Sequence, residues 1–240
     1  MEWFKDWFNS KYYHILYNHR NDDEAQKFID NLLAYLNPCK NATMLDLACG
    51  KGRHSKYLNA KGYDVTGVDL SNNSINDAKQ FETNSLHFYE HDMRHVLSAN
   101  NFDFVFSFFT SMGYFEKPTD DVKQFKAMHT ALKPNGSLMI DFLNTEKSKL
   151  NLIPNRTIEK ENIQFNISSY FKNGFFHKST EVIDGDKKFI SHEKVRGFLL
   201  ADFQQLLHQQ NFKIESIFGD YHLNKFDVHT SDRLIIHAKK

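Results

Sequence analysis

The chain has 240 residues, of which 40% are hydrophobic, enough to bury the core of one large domain or of a domain with a subdomain. Its 30 basic and 30 acidic side chains give a formal net charge of zero, which argues against broad electrostatic binding to nucleic acid or to an anionic membrane. The two cysteines, Cys39 and Cys49, cannot form a disulfide framework, and no apolar stretch approaches the length of a membrane span. We therefore expect a cytoplasmic protein.

Residues 1–20 carry aromatic side chains at helical spacing and predict an amphipathic helix. Two interpretations stay open. The helix packs on the body of the protein, or it covers a ligand crevice as a lid and brings Tyr13, Tyr17 or Arg20 to the ligand. Arg20 could pair with a ligand carboxylate through two hydrogen bonds.

Residues 44–54 join an apolar run, an acidic residue and a glycine-containing turn. This pattern predicts a buried parallel strand, a tight loop and a helix N-terminus, and ligands bind beyond the carboxyl end of such a strand. Gly50 and Gly52 have no Cβ, so the backbone can turn sharply and approach a ligand. Asp46 ends the buried strand with a carboxylate that needs a partner.

The loop does not match two common nucleotide motifs. Ala48 and Arg53 stand where the dinucleotide fingerprint G-x-G-x-x-G has its first and third glycines. The P-loop sequence G-x-x-x-x-G-K-[ST] is absent. The loop alone therefore does not say which nucleotide binds.

A second predicted strand, residues 63–69, ends in Asp69, about 20 residues after the glycine loop, where ribose-binding acids lie in nucleotide folds. Its carboxylate can accept hydrogen bonds from both vicinal hydroxyls of a ribose. The alternative is that Asp69 only caps the next helix, for which Ser71 is the predicted N-cap.

Further strands and helices alternate along the chain, as in an α/β protein. The run at 102–109 is apolar almost throughout and predicts a central strand that is buried on both faces. The remaining predicted strands are 86–89, 137–143, 212–218 and 233–238, and the predicted helices are 21–36, 53–61, 118–133 and 199–210.

Residues 145–198 have a different pattern. Asn173-Gly174 and Asp184-Gly185 are strong hairpin signals. They separate three alternating runs and predict a three-stranded antiparallel meander, inserted after the fifth strand of the main sheet, which could serve for dimerisation. The three runs are 163–171, 175–183 and 188–198.

His91 and His95 are four residues apart, a spacing that suits a metal pair, but no third ligand is in view. We therefore expect no metal site.

The sequence from Asp46 to Gly52 resembles the first motif of the class I S-adenosylmethionine (SAM) methyltransferases, in which an acidic residue precedes G-x-G-x-G. Ala48 departs from that motif by one methyl group. The L-K-P-x-G turn at 132–136 is also similar to the family. The resemblance covers the body of the chain, roughly 40–144 and 199–240. It implies a doubly wound α/β fold with a seven-stranded, mostly parallel sheet. The SAM-binding domain would comprise 1–144 and 199–240, with 1–20 as a possible lid, and 145–198 would be an inserted antiparallel subdomain, where related enzymes often have the element that sets acceptor specificity.

The resemblance also implies SAM as the cofactor and a role for several residues. Asp69 would bind the ribose, Asp92 the exocyclic amine of the adenine, and Met93 the adenine ring through its backbone and side chain. The implied cofactor-binding residues are Asp46, Ala48, Cys49, Gly50, Gly52, Asp69, Leu70, Asp92, Met93, Arg94, Ser107 and Phe108, together with Tyr13 and Arg20 from the N-terminal segment.

The implied activity is methyl transfer to a nitrogen or oxygen atom of a small-molecule acceptor by a monomer or homodimer. Amino-methylating DNA enzymes carry (Asp/Asn)-Pro-Pro-(Tyr/Phe) where this chain has Ser107-Phe-Phe-Thr110, so that substrate class loses support. A protonated amine or a hydroxyl acceptor needs a base. The candidates are Tyr114, His177 and His222, with Glu116, Asp141 and His192 beside them, and none stands out.

Three other functions stay open at this point. A non-catalytic SAM-binding protein would carry the same motifs. A nicotinamide-dependent oxidoreductase has a similar sheet, but the incomplete dinucleotide fingerprint and the acid at Asp92 speak against it. An RNA or protein methyltransferase is disfavoured by the neutral charge.

Overall fold

The computed structural model describes residues 3–17 and 22–240, so the predicted ligand contact of Arg20 lies outside the described residues. Within these ranges the helices are α1 Trp3–Phe8, α2 Lys11–Leu16, α3 Asp22–Leu36, α4 Arg53–Ala60, α5 Asn72–Lys79, α6 Pro118–Ala131, α7 Thr145–Leu150 and α8 Leu200–Gln209. The strands are β1 Thr43–Leu47, β2 Asp64–Asp69, β3 Leu86–Glu90, β4 Phe102–Ser107, β5 Leu132–Leu143, β6 Asn155–Lys160, β7 Ile163–Lys172, β8 Phe175–Asp184, β9 Lys187–Arg196, β10 Lys213–Phe218 and β11 Arg233–Lys239.

Seven strands form one sheet in the order β10-β11-β5-β4-β1-β2-β3. Strands β3, β2, β1, β4 and β5 pair in parallel, whereas β11 runs antiparallel to both β5 and β10. This confirms the predicted seven-stranded, mostly parallel sheet. The chain reverses its direction of travel across the sheet between β1 and β4, and the crevice at such a reversal is where ligands bind in open α/β sheets.

Successive side chains of each strand point to opposite faces of the sheet, so both faces are apolar and both are covered by helices. Leu45 of β1 faces the layer of α6 and α8, where Phe125 and Phe203 are buried. Its neighbour Met44 faces the layer of α3, α4 and α5, where Phe28 is buried. The fold is therefore doubly wound, as predicted. No helix in the described ranges combines the length and apolar character needed to cross a membrane.

A second sheet contains β6, β7, β8 and β9, all antiparallel. The prediction of three strands is wrong, because β6 adds a fourth. This strand lies at the sheet edge and carries charged residues such as Arg156, Glu159 and Lys160, so it lacks the alternating apolar pattern that marks the other three strands.

The N-terminal segment forms two short helices, and the prediction of one helix is wrong. The chain breaks at Ser10, whose side chain caps α2 by accepting from the Tyr12 backbone N–H at 3.1 Å. Both helices pack on the second sheet. Trp7 is buried and stacks on Phe189 with ring centroids 6.1 Å apart. Leu16 belongs to the same apolar cluster.

Polar contacts also hold α2 on the second sheet. Lys11 and the Tyr12 hydroxyl both donate to Asp184, at 2.8 and 3.0 Å. The Lys178 ammonium donates to the Tyr17 hydroxyl just past the end of α2. The second sheet therefore serves as a platform for the N-terminal segment.

Candidate functional site

A cavity of about 400 Å³ lies at the carboxyl ends of β1, β2 and β4, with the N-terminal segment as one wall. Its lining comes from four parts of the chain. These are the N-terminal segment (Phe4, Phe8, Tyr13, His14, Tyr17), the loop after β1 and the start of α4 (Ala48, Cys49, Gly50, Lys51, Arg53, His54), the end of β2 with the start of α5 and the loop after β3 (Asp69, Leu70, Ser74, Asp92, Met93), and the loop after β4 (Phe108, Phe109, Ser111, Tyr114, Phe115).

The glycine loop reaches the cavity through left-handed backbone. Ala48, Gly50 and Gly52 have φ values of 57°, 57° and 76°. A Cβ on Gly52 would lie 2.5 Å from the Phe88 ring, so Gly52 permits close packing of α4 on β3. A Cβ on Gly50 would meet no atom within 4 Å, so this glycine leaves room beside the cavity. Gly52 therefore allows α4 to pack against β3, and Gly50 lines the cavity.

Asp46 lies beneath the loop and does not line the cavity. Its side chain is buried, and its Oδ2 accepts from the Ser55 hydroxyl at 2.6 Å. Burial raises the pKa of Asp46 to about 7, although the Ser55 hydrogen bond opposes the shift. Asp46 thus ties β1 to the first turns of α4.

Asp69 lines the cavity and also holds the loops around it. Its Oδ2 accepts from the Gly50 N–H at 2.9 Å, and its Oδ1 accepts from the Ser71 N–H at 2.7 Å. Burial raises the pKa of Asp69, while these backbone donors oppose the shift. The carboxylate therefore caps the turn before α5 and also presents oxygen atoms to the cavity.

Asp92 and Met93 line the cavity at the end of β3. Arg94 turns away from the lining and donates to Asp92 from its Nε at 3.0 Å and its Nη2 at 2.5 Å. Burial acts to raise the pKa of Asp92, but Arg94 brings it below its ordinary value. The Arg94 guanidinium also lies 4.8 Å from the centre of the Phe115 ring, which faces the cavity.

The loop after β4 contains two consecutive residues in left-handed backbone, Phe109 and Thr110, with φ values of 54° and 61°. Such strain costs on the order of 1–3 kcal/mol per residue and needs support from its surroundings. Asp141 provides it. Its Oδ2 accepts from the Phe109 N–H at 2.9 Å, and its Oδ1 accepts from Arg233 Nε at 2.7 Å. The Tyr221 hydroxyl donates to the same carboxylate at 3.2 Å.

Of the candidate bases, Tyr114 alone lines this cavity within the described residues, and its hydroxyl donates to the Thr110 carbonyl at 2.8 Å. Asp141 is buried in its ion pair with Arg233. His177 stacks on Tyr170 of β7, with ring centroids 4.7 Å apart. The structure does not bring Glu116, His177, His192 or His222 into the cavity lining.

The structure brings most of the expected cofactor-binding residues together and places others behind them. Asp46, Gly52, Arg94 and Ser107 do not line the cavity. The expected residues that line it are Tyr13, Ala48, Cys49, Gly50, Asp69, Leu70, Asp92, Met93 and Phe108.

Several lining residues were not expected from the sequence. His54 packs on the Phe109 ring with centroids 5.2 Å apart, and Lys51 and Arg53 precede it in the chain and also line the cavity. Their position within or directly after the glycine loop is a signal that could have found them. His14 gave no such signal, because it lies on a helix whose path over the cavity is set by tertiary packing.

The described part of the chain contains no group of three or more His, Cys, Asp or Glu side chains arranged to hold a metal ion. In that part, His91 Nε2 lies 2.9 Å from the His95 carbonyl oxygen.

In sequence, the chain is similar to methyltransferases. The model of a family described as a methyltransferase domain matches residues 44–136. The putative methyltransferase YqeM of Bacillus subtilis (strain 168) is 27% identical over 95% of this chain and 94% of its own length. A dTDP-3-amino-3,4,6-trideoxy-alpha-D-glucopyranose N,N-dimethyltransferase of Streptomyces venezuelae is 27% identical over 54% of each chain.

The fold also matches solved structures. A SAM-dependent methyltransferase from Clostridium acetobutylicum ATCC 824 superposes with a TM-score of 0.78 over 95% of both chains, at 21% identity. The matched region of the family model runs from β1 to the turn inside β5 and so contains the whole glycine loop, Asp69 and Asp92.

Proposed function

We propose that this chain, a class I SAM-dependent methyltransferase by sequence and fold, transfers a methyl group to a nitrogen or oxygen atom of a small-molecule acceptor. The observation that carries the proposal is the position of the N-terminal segment. Phe4, Phe8, Tyr13 and Tyr17 form a wall of the same cavity that the glycine loop lines. An acceptor that reaches a methyl donor there must fit within this enclosure, which favours a small molecule over a macromolecule.

The cavity residues fit SAM. Gly50 leaves open space where a side chain would stand, and Asp69 presents a carboxylate that suits the vicinal hydroxyls of a ribose. Asp92 and Met93 line the cavity just after the next strand, which supports their proposed contact with the adenine. We infer that these residues hold the cofactor, with Ala48, Cys49 and Leu70 beside them. SAM, when bound, supplies a methyl group that is already activated on a positively charged sulfur.

The residues of the chain contribute mainly by alignment and by exclusion of water, since an activated methyl group needs no covalent nucleophile. The aromatic rings of the N-terminal segment and of the loop after β4 surround the cavity with apolar surface and π faces, which favour positive charge nearby. Tyr114 is the candidate for contact with the acceptor, because its ring meets Phe4 and Phe8 inside this wall.

The relative from Streptomyces venezuelae is named for N,N-dimethylation of an amino sugar carried on a nucleotide, which supports an amine acceptor for this chain. We further propose that residues 145–198 act as an inserted unit that carries the N-terminal segment. We also propose a cytoplasmic location, which is supported by the two free cysteines Cys39 and Cys49. The prediction of a monomer or homodimer stays a proposal.

The first test is calorimetric titration of the full chain with SAM and, separately, with NADH. We expect micromolar binding of SAM and no binding of NADH. Methyl transfer from labelled SAM is then assayed on a panel of small amines, small hydroxyl compounds, total RNA and a mixed protein substrate. Turnover on a small amine or hydroxyl compound supports the proposal, whereas transfer to RNA or protein alone would overturn the acceptor class. SAM binding with no turnover on any substrate would favour a binding protein.

A further inference from the structure

Asn9 of the N-terminal segment forms hydrogen bonds with the turn that follows Asp69. The Asn9 side-chain oxygen accepts from the Ser71 hydroxyl at 2.7 Å and from the Asn73 backbone N–H at 3.3 Å. The Asn73 side-chain amide also donates to the Asn9 carbonyl oxygen at 3.0 Å. Because the Ser71 N–H donates to Asp69, the segment docks on the same turn that positions the carboxylate.

His14 lies on α2, five residues after Asn9, and lines the cavity. Its Nε2 is buried and has no hydrogen-bond partner within the described residues. A buried polar nitrogen in that state is unfavourable, and native structures rarely leave one without a partner. A polar group of a ligand in the cavity would supply the missing partner.

The charged groups that act on His14 lie beside Asp69 in the fold. Lys51 of the glycine loop and Asp77 of α5 form an ion pair at 2.7 Å. Burial lowers the pKa of His14, Lys51 lowers it further, and Asp77 opposes them. The imidazole is therefore neutral at neutral pH, and its Nε2 either donates or accepts one hydrogen bond, according to the tautomer.

We propose that His14 is a cofactor-binding residue on the N-terminal segment and that its Nε2 exchanges a hydrogen bond with a ribose hydroxyl of SAM, in the cavity that Asp69 also lines. A hydroxyl group suits a neutral imidazole because it can donate to one tautomer and accept from the other. The proposal rests on the proposed function, since it assigns a contact within the same cofactor site. It also makes cofactor binding favour the docked position of the N-terminal segment.

The test compares the wild-type chain with His14→Phe and His14→Gln in calorimetric titrations of three ligands. S-Adenosylhomocysteine contains the whole cofactor frame without the transferable methyl group. 5′-Methylthioadenosine lacks the amino-acid carboxylate, and its 2′,3′-dideoxy analogue also lacks the ribose hydroxyls. The control is His208→Phe, because His208 is an exposed histidine near the end of α8.

We expect His14→Phe to weaken binding of S-adenosylhomocysteine and of methylthioadenosine by about tenfold each, the scale of one lost hydrogen bond to a buried group. The dideoxy analogue should bind the wild type and His14→Phe equally, and His14→Gln, which keeps a polar group, should lose less affinity. His208→Phe should match the wild type for all three ligands.

A loss seen with S-adenosylhomocysteine but absent with methylthioadenosine would place the contact at the carboxylate and overturn the ribose assignment. Equal affinities of wild type, His14→Phe and His14→Gln would overturn the role of His14 altogether. Failure of the wild-type chain to bind S-adenosylhomocysteine or SAM would instead refute the proposed function, and it is recognised by the unmodified protein alone.

Discussion

The Gly50 backbone N–H donates to Asp69 Oδ2 at 2.9 Å, which joins the glycine loop after β1 to the carboxylate at the end of β2. The other oxygen of Asp69 accepts from the Ser71 N–H at 2.7 Å. The two interpretations of Asp69 from the sequence therefore do not exclude each other. The same carboxylate caps the turn before α5 and, where it lines the cavity, has capacity for further hydrogen bonds, since an ionised carboxylate can accept about four.

Asp69→Ala should weaken SAM binding by roughly 10- to 100-fold, because hydrogen bonds to charged groups contribute about 1.5–3 kcal/mol. Asp69→Asn keeps one acceptor oxygen and should lose less. Calorimetric titration measures both variants, with Asp64→Ala at the exposed start of β2 as the control. Unchanged affinity in Asp69→Ala would contradict the ribose assignment.

Arg94→Met should weaken SAM binding and destabilise the fold, because Arg94 holds the Asp92 carboxylate through paired hydrogen bonds. The pair is partly buried and should contribute about 1–3 kcal/mol to the free energy of unfolding. Urea unfolding of both proteins at several pH values measures this contribution.

The pH dependence of that difference has a definite sign. Since Arg94 brings the folded-state pKa of Asp92 below its ordinary value of 3.8, the stabilisation is fully present above pH 3.8. It is lost as the pH falls through the lowered pKa. The difference in free energy of unfolding between wild type and Arg94→Met should therefore be constant near neutrality and shrink in strong acid. A difference that grows on acidification would contradict the pairing.

Ala48→Gly should stabilise the chain by about 0.5–1 kcal/mol. Ala48 has a φ of 57°, a conformation that costs an L-residue roughly 1–2 kcal/mol and costs glycine little, although glycine adds freedom to the unfolded chain. Gly52→Ala should instead destabilise the chain, because the new Cβ would lie 2.5 Å from the Phe88 ring and the alanine would have to adopt a positive φ. Thermal unfolding of the two variants should shift the midpoint in opposite directions.

Features that depend on local chemistry were predictable from the sequence. The glycine loop, the acids at Asp46 and Asp69 and the apolar strand β4 each follow from a few consecutive residues, and parallel strands with intervening helices leave few possible topologies. The hairpins at Gly174 and Gly185 have both glycines at positive φ, as their turn sequences require.

Features set by tertiary contacts were not predictable. Strand β6 has a polar sequence and forms because β7 offers a neighbouring edge. Arg94 matches the motif by position, yet its side chain turns to Asp92 and not to the cavity. His14 reaches the cavity because Ser71 holds its segment at Asn9 and Asp184 holds it at Lys11, and both partners are far away in the sequence.

Asp141→Asn should destabilise the chain by about 3–5 kcal/mol, because it removes the buried negative charge that pairs with the partly buried Arg233 and leaves a cation uncompensated. It should also lower methyl transfer more than SAM affinity, since Asp141 holds Phe109 in its strained position at the cavity wall. The double variant Asp141→Asn with Arg233→Met removes both charges and should recover part of the lost stability without restoring turnover. Urea unfolding and the methyl-transfer assay measure the two effects. If the double variant loses as much stability as Asp141→Asn and Arg233→Met lose together, or more, the two residues do not act as a pair.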